Sequence, residues 1–309
     1  MVLAVATLTF VLLHAAPGDP LALDESRYVS PETVAQMRRN LGLEQPLAVQ
    51  YLRYLANLAH GDLGVSFSLH RPVWDALRET IPNTLILTVA ALVVDFTVGV
   101  SMGTVQGARP GSGLDSLLSA TSLAFYSMPV FWLGLMLLLA FGQELAWLPV
   151  AGMRDPVVGA FTSPAGRLVD LGRHLILPAL TLGLAGAAGT ARYQRAAMLE
   201  VIRQDYVRAA RAKGLTDRVV LWRHALRNAL LPTITLMGLS LPTLLSGAVL
   251  VESVFAWPGM GRLSADAIFR RDYPVVTGAA ILAATLVVAG SLVADLLYRV
   301  VDPRTRSAA

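Results

Sequence analysis

The chain has 309 residues, a formal net charge of +4 and no cysteine, which excludes disulfides and thiol catalysis. Hydrophobic residues make up 55% of it and charged residues only 15%, against about 25% charged in an ordinary soluble domain. The apolar residues come in long blocks, which predicts an all-α polytopic membrane protein.

The first block is 1–16. Sixteen helical residues rise about 24 Å, short of a hydrocarbon core of ~30 Å. No basic leader and no A-x-A site accompany it, and Pro17 follows at once. The expectation is therefore a first membrane helix whose opening turn lies upstream of Met1, in preference to a cleaved signal peptide. Pro17, Gly18 and Pro20 then break the helix. Ser30-Pro31-Glu32 reads as an N-cap with proline at the first helical position, opening a helix to about Leu41 that Gly42 ends. A second amphipathic stretch, 46–59, puts Leu47, Tyr51, Tyr54, Leu55 and Leu58 on one face. It predicts either a cap over an outer mouth or a structured loop.

Further along, 80–108 is apolar with a single acid, Asp95, and 116–143 carries no charge. Block 175–191 is shorter, but Gly183, Ala185, Gly186, Ala187, Ala188 and Gly189 suit close helix packing in lipid. Blocks 229–251 and 273–294 are uncharged. In the former, Pro232, Pro242, Gly238 and Gly247 predict a helix that bends or lines a cavity, or else one that simply packs tightly. Six spans are expected, with both termini on one side.

Charge sets the side. The connection 192–228 holds nine Arg or Lys against three acids, and Arg299, Arg304 and Arg306 follow the last span. The connections 143–173 and 252–272 hold three Arg each. By the positive-inside rule the termini and the basic connection are cytoplasmic, and 17–79 lies outside.

Recognisable enzyme chemistry is missing from the sequence. The sole lysine, Lys213, is followed by Gly214 and Leu215, so no G-K-[ST] phosphate loop exists. His14, His60, His70, His174 and His224 lack metal-ligand spacing, and no Ser/His/Asp signature appears. Neither an enzyme nor a cofactor is expected, and nothing suggests nucleic acid as a partner.

The basic connection has its own shape. Residues 198–213 predict one uninterrupted helix, ended by Gly214 in a C-terminal cap. Thr216 or Asp217 then N-caps a second short helix to about Asn228. Ala209 and Ala210 are small enough for another surface to approach closely. Such an elbow fits a docking element, or a basic loop held at anionic lipid headgroups.

Several stretches, in order, carry a resemblance. They are "HAAPGDP" (14–20), "GDLGVSFSLHRPVWDALRETIPNTLIL" (61–87), "SMPVFWLGLMLLL" (127–139), "MLEVIRQDYVRAARAKGL" (198–215) with "RHALRNALLP" (223–232), "ESVFAWPGMGRL" (252–263) and "DLLYRVVDPR" (295–304). Together they resemble the permease subunits of ABC importers in the dipeptide/oligopeptide/nickel subclass, with 198–215 similar to the "EAA" loop. Arg208 stands where the wider motif has Glu, and "LPVAGM" (148–153) departs in detail.

The resemblance implies a type I importer permease fold: a first helix at 1–16, an extracytoplasmic segment at 17–79, a permease core at 80–299 and a cytoplasmic tail at 300–309. It implies four kinds of partner in a bacterial inner membrane, namely the lipid, a second homologous permease, two cytoplasmic ATPases and an extracytoplasmic solute-binding protein. Residues 215–223 would insert into the ATPase, Arg218 and Arg223 toward carboxylates and Leu215, Val219 and Trp222 into an apolar pocket. The implied solute is a di- or oligopeptide, with nickel, glutathione or an oligosaccharide as alternatives. A self-sufficient carrier would need its own ion site, and Asp95 is the only acid deep in a span. Asp95 and Pro242 are the candidate pathway residues. Asp95 would either attract a peptide amine or be held, protonated or hydrogen-bonded, against protein.

Overall fold

The computed structural model of the protein describes residues 2–15, 36, 44–155 and 163–301, of which 235, 238–247 and 293–301 are described by backbone alone. The helix expected between Ser30 and Leu41 and the breakers Pro17, Gly18 and Pro20 fall outside the described residues, as does the end of the tail. The described elements are helices, with one isolated antiparallel bridge between Val65 and Pro72. They divide into two compact units, one of residues 1–83 with 258–286, the other of residues 84–257 with 287–309.

In the first unit, α1 (Val2–Ala15) is apolar almost throughout and leaves Leu3, Leu8, Val11 and Leu12 exposed. Helix α2 (Leu47–Ala59) starts after Pro46 as its sequence predicts. Tyr51, Tyr54, Leu55 and Leu58 are partly covered, whereas Leu47 remains exposed. Thr7 and Tyr51 share a hydrogen bond of 2.7 Å between their hydroxyls, and the Phe10 ring stacks on Tyr54 at 5.6 Å. Burial pushes the Tyr54 phenol up to about 12.

A second cluster in this unit joins Val73 and Leu77, at the start of α3 (Val73–Ala108), to two later helices, α10 (Met260–Phe269) and α11 (Tyr273–Val301). Asp272 fastens it. Its fully buried carboxylate accepts from the Ser66 hydroxyl at 2.5 Å, the Ser68 hydroxyl at 2.7 Å and the Ser68 amide at 2.9 Å. A buried carboxylate is tolerable when its lone pairs are met in this way.

The second unit holds the rest of α3, then α4 (Gly113–Ser127), α5 (Val130–Leu137), α6 (Pro164–Ile202), α7 (Asp205–Ala212), α8 (Asp217–Val219) and α9 (Leu226–Val254). Helix α3 has 36 residues and α6 has 39, roughly 54 and 58 Å at 1.5 Å per residue. Both overrun a hydrocarbon core of ~30 Å, so their ends carry the polar residues. Ser163 opens α6, its hydroxyl accepting from the Gly166 amide at 3.3 Å, with Pro164 at the first helical position.

The block 116–143, expected as one span, is two helices. Met128, with φ −77° and ψ 133°, is extended, and α4 meets α5 with its π-helical extension Leu138–Glu144 at a bend of 106°. Pro129 is the physical reason. Its ring disfavours the helical conformation in the residue before it and pre-sets its own φ for a new start.

Among the described residues, three helices are long and apolar enough to cross a membrane, namely α3, α6 and α11 as far as Leu292. The bent pair makes a fourth if it counts as one span. Of these, α6 is the most enclosed, 61% of its apolar window being buried against 28% and 33% for α3 and α11. It is the element around which the second unit is built. Leu85, Val89 and Val93 on α3, Leu117 and Leu123 on α4, and Phe131 and Leu135 on α5 are exposed. An uncovered apolar surface of this kind suits hydrocarbon, not water.

Candidate functional site

The basic connection begins where α6 stops. The single helix expected over 198–213 is interrupted: Arg203 ends α6, and Gln204 is extended at φ −73° and ψ 151° before α7 starts at Asp205. The break lets Val207 and Ala210 fold back on Met198 and Val201, into a buried cluster completed by Val220, Ala225 and Ala229. Asp205 gains the first turn of α7, where the helix dipole favours a carboxylate, and pairs with Arg208.

Gly214 ends α7 as expected. It sits at φ +81°, with its amide bonded to the Arg211 carbonyl at 2.9 Å. A Cβ added there would meet nothing within 4 Å. Glycine is thus required by the backbone angle and not by crowding within this chain. Across the turn, the Arg211 guanidinium lies 3.3 Å from Asp217.

Thr216, at φ −63° and ψ 145°, starts α8 as expected, although its side chain makes no capping bond. The short helix expected to end at Asn228 instead runs on. A π-helical turn, Val220–Ala225, connects α8 to α9 without a gap, so one helical rod extends from Asp217 to Val254. The wider turn has a packing reason. At 100° per residue an α-helix would set positions five apart about 140° apart, yet Val220 and Ala225 are both fully buried in the same cluster. Pro232 does not end α9, nor do Pro242, Gly238 and Gly247, all of which lie within its span. The side chain of Pro242 lies outside those described.

On the outside, Leu215, Val219 and Trp222 are exposed, at 40%, 38% and 58%. Val219 and Trp222 lie three residues apart on the helix, with Leu215 just ahead of its start, and among the described residues the three are only partly covered. Arg218 and Arg223 flank them, also exposed. The two alanines separate. Ala209 is exposed, whereas Ala210 is buried in the elbow's own cluster. At the base, the Asn228 amide donates to the Tyr206 hydroxyl at 2.6 Å, tying α7 to α9.

Above the elbow runs a polar seam that sequence reasoning missed apart from Asp95. Arg195 on α6 makes a two-pronged bond to Asp115 on α4, both contacts at 2.9 Å. Beside it on α6, Gln194 is fully buried. Its amide donates to the Thr104 hydroxyl at 3.3 Å, and its carbonyl accepts from the Thr233 hydroxyl at 2.6 Å. Asp95 lies on α3 with 2% exposure; Thr190 donates to its Oδ1 at 2.7 Å. A Cβ on Gly186 would stand 2.5 Å from its Oδ2. The available signal was a scatter of Thr and Gln in otherwise apolar blocks, since polar groups at such depth need partners.

Two family models cover nearly the whole chain. One, described as the inner membrane component of binding-protein-dependent transport systems, matches residues 95–307; its N-terminal companion matches 1–88. The chain belongs to this family of permeases.

Full-length relatives agree. The di/tripeptide transport system permease protein DppB of Pseudomonas aeruginosa is 45% identical, the match covering 98% of this chain and 94% of that protein. Dipeptide permease DppB of Escherichia coli K12 is 41% identical with the same coverage. The oligopeptide permease AppB of Bacillus subtilis is 40% identical over 98% of this chain and 95% of its own length. Among solved structures, the inward-facing MetNI methionine ABC transporter aligns with a TM-score of 0.59 at 20% identity, covering 73% of this chain and 96% of that one. At that identity it speaks for the helical fold alone. The binding-protein-dependent permease family thus accounts for the helical architecture and for the absence of an ATP-binding loop from this chain.

Proposed function

We propose that this chain is one of two permease subunits of an ATP-driven importer of di- or oligopeptides, crossing the inner membrane six times with both termini cytoplasmic. The observation that carries the reading is the elbow: apolar side chains partly uncovered among the described residues and flanked by Arg218 and Arg223, next to and on a helix continuous with α9. That surface suits a cytoplasmic ATPase groove with an apolar floor and acidic rim. Leu215, Val219 and Trp222 enter the groove, while Gly214 sets the angle of approach. An extracytoplasmic binding protein delivers the solute to the opposite face. Peptide is the solute named for the DppB and AppB relatives.

Reconstitution tests the assignment. Vesicles holding both permeases and the ATPases should take up dipeptide only with ATP and the binding protein present, and uptake by the permeases alone would refute it.

Orientation is tested by cysteine labelling, which the cysteine-free chain permits. His60 is exposed at the end of α2 and suits this test, whereas Ser68 does not, because both its hydroxyl and its amide hold Asp272. His60→Cys should react with an impermeant maleimide on intact cells, and Thr216→Cys only after permeabilisation. The reverse pattern would overturn the orientation.

For Asp95, the bond from Thr190 and the fit against Gly186 favour a clamp between α3 and α6. Asp95→Asn keeps an acceptor of the same shape there, so uptake of cationic and neutral peptides should change by the same factor. A loss confined to cationic peptides would instead place Asp95 in the pathway.

A further inference from the structure

The elbow closes a loop whose two stems, α6 and α9, are bridged at a matched height. Gln194 lies eight residues before the end of α6 at Ile202, and Thr233 eight residues after the π-helical turn ends at Ala225. Each is therefore about 12 Å along its helix from the elbow. Between bridge and elbow lies the cluster of Met198, Val201, Val207, Ala210, Val220, Ala225 and Ala229, which packs the loop into one solid piece.

We propose that Gln194 is the positioning residue that carries displacement of the elbow into α9 and α3 during transport. The inference rests on the reading of the elbow as the ATPase-coupling element and adds the route by which its motion leaves it. Three helices meet at this one side chain. Thr233 of α9 donates to its carbonyl and its amide donates to Thr104 of α3, with all three residues buried: Gln194 at 0%, Thr233 at 1% and Thr104 at 5% exposure. The apolar cluster below moves with the elbow, but its contacts have no preferred direction. Hydrogen bonds do, since they weaken steeply with misalignment and an unmet amide at that depth is unfavourable. The bridge therefore holds α6, α9 and α3 in register when the elbow is pushed.

A Cβ at Gly103 would stand 2.7 Å from the Cβ of Gln194, so the side chain meets α3 at near backbone contact.

The experiment uses the complete reconstituted importer, with both permeases, the ATPases and the binding protein. Its readout is the ratio of peptide-stimulated to basal ATP hydrolysis, beside peptide taken up per ATP. Thr233→Val removes the hydroxyl at nearly constant shape, Thr233→Ser keeps it, and Gln194→Met removes both bonds while preserving length. With bonds of this kind contributing about 1 kcal/mol each, Thr233→Val should reduce the stimulated-to-basal ratio and the uptake per ATP about fivefold. Thr233→Ser should retain both. The double variant Gln194→Met/Thr233→Val should do no worse than Gln194→Met alone.

Equal coupling in Thr233→Val and Thr233→Ser would overturn the proposal, and so would additive losses in the double variant. A disulfide trap between Thr216→Cys and an introduced ATPase cysteine separates docking from transmission. If no trap forms in the otherwise unaltered complex, the docking reading itself fails. If the trap forms and the Thr233 variants still couple normally, only the Gln194 route fails.

Discussion

Replacing Gly214 with valine should abolish productive coupling while leaving the protein in the membrane. Gly214 holds φ +81°, a region that a β-branched residue enters only at a cost of about 1–2 kcal/mol. That conformation supports the Gly214 amide bond to Arg211 and the Arg211–Asp217 pair. Relaxing it would swing Leu215, Val219 and Trp222 away from their present direction. Because a Cβ at this position meets open space among the described residues, the change adds no clash of its own, and insertion should match the unaltered protein. Peptide-stimulated hydrolysis and uptake should fall about tenfold or more, in line with the strain. Gly214→Asn, which tolerates the left-handed region, should retain most of both. Full coupling in the valine variant would remove this turn from the mechanism.

The same residue shows why part of the site is legible in the sequence. A glycine following a polar helical stretch is a local signal, and so is a Thr-Asp pair restarting a helix. The structure places a helix end at Gly214 and a helix start at Thr216, in agreement with both signals. Beyond Thr216 the path of the chain is decided by tertiary packing, which no local signal encodes. Nothing between Asp217 and Asn228 announces a π-helical turn; the turn exists because Val220, Ala225 and Ala229 must all reach one cluster. The break at Gln204 has the same origin, since Val207 and Ala210 need to fold back on Met198. Pro129, by contrast, is a legible signal. The residue before a proline is biased away from the helix, and the 106° bend falls at that point.

Composition is an equally uneven guide inside the apolar blocks. The run of small residues in α6 correctly marks it as a close-packing helix, but the six positions are not equivalent. Gly183 and Gly186 face Val94 and Asp95 on α3 at near contact, whereas Gly189 faces open space. Nor do the block boundaries show the partner side of the seam. It lies on α3, where Gly99, Gly103 and Gly107 repeat every four residues and bring one stripe against α6. The long-range pairs Asp95 with Thr190 and Gln194 with Thr104 depend on that approach, because short side chains can bond across only when backbones are close.

Gly103→Ala should accordingly be the most damaging single methyl group that can be added to the seam. The new Cβ would fall on the Ala191 carbonyl oxygen, 2.7 Å from the Gln194 Cβ and 2.9 Å from the Arg195 amide nitrogen. Two of these three neighbours are backbone atoms of a regular helix and cannot rotate aside, so α3 and α6 would have to move apart. Overpacking of this kind costs about 1–3 kcal/mol before any secondary loss. Here the same separation would also stretch the Gln194–Thr104 bond one residue away. Little folded permease should be recovered in detergent from Gly103→Ala, and its thermal midpoint should drop by several degrees. Gly189→Ala, in the same helix pair but facing open space, should match the unaltered protein or exceed it, because alanine is the better helix former. Normal yield and midpoint for Gly103→Ala would show that α3 and α6 do not meet at backbone distance. Equal damage from Gly189→Ala would show that general loss of glycine, and not this contact, governs the result. The contrast between these two glycines therefore reads the seam directly, independently of any transport assay.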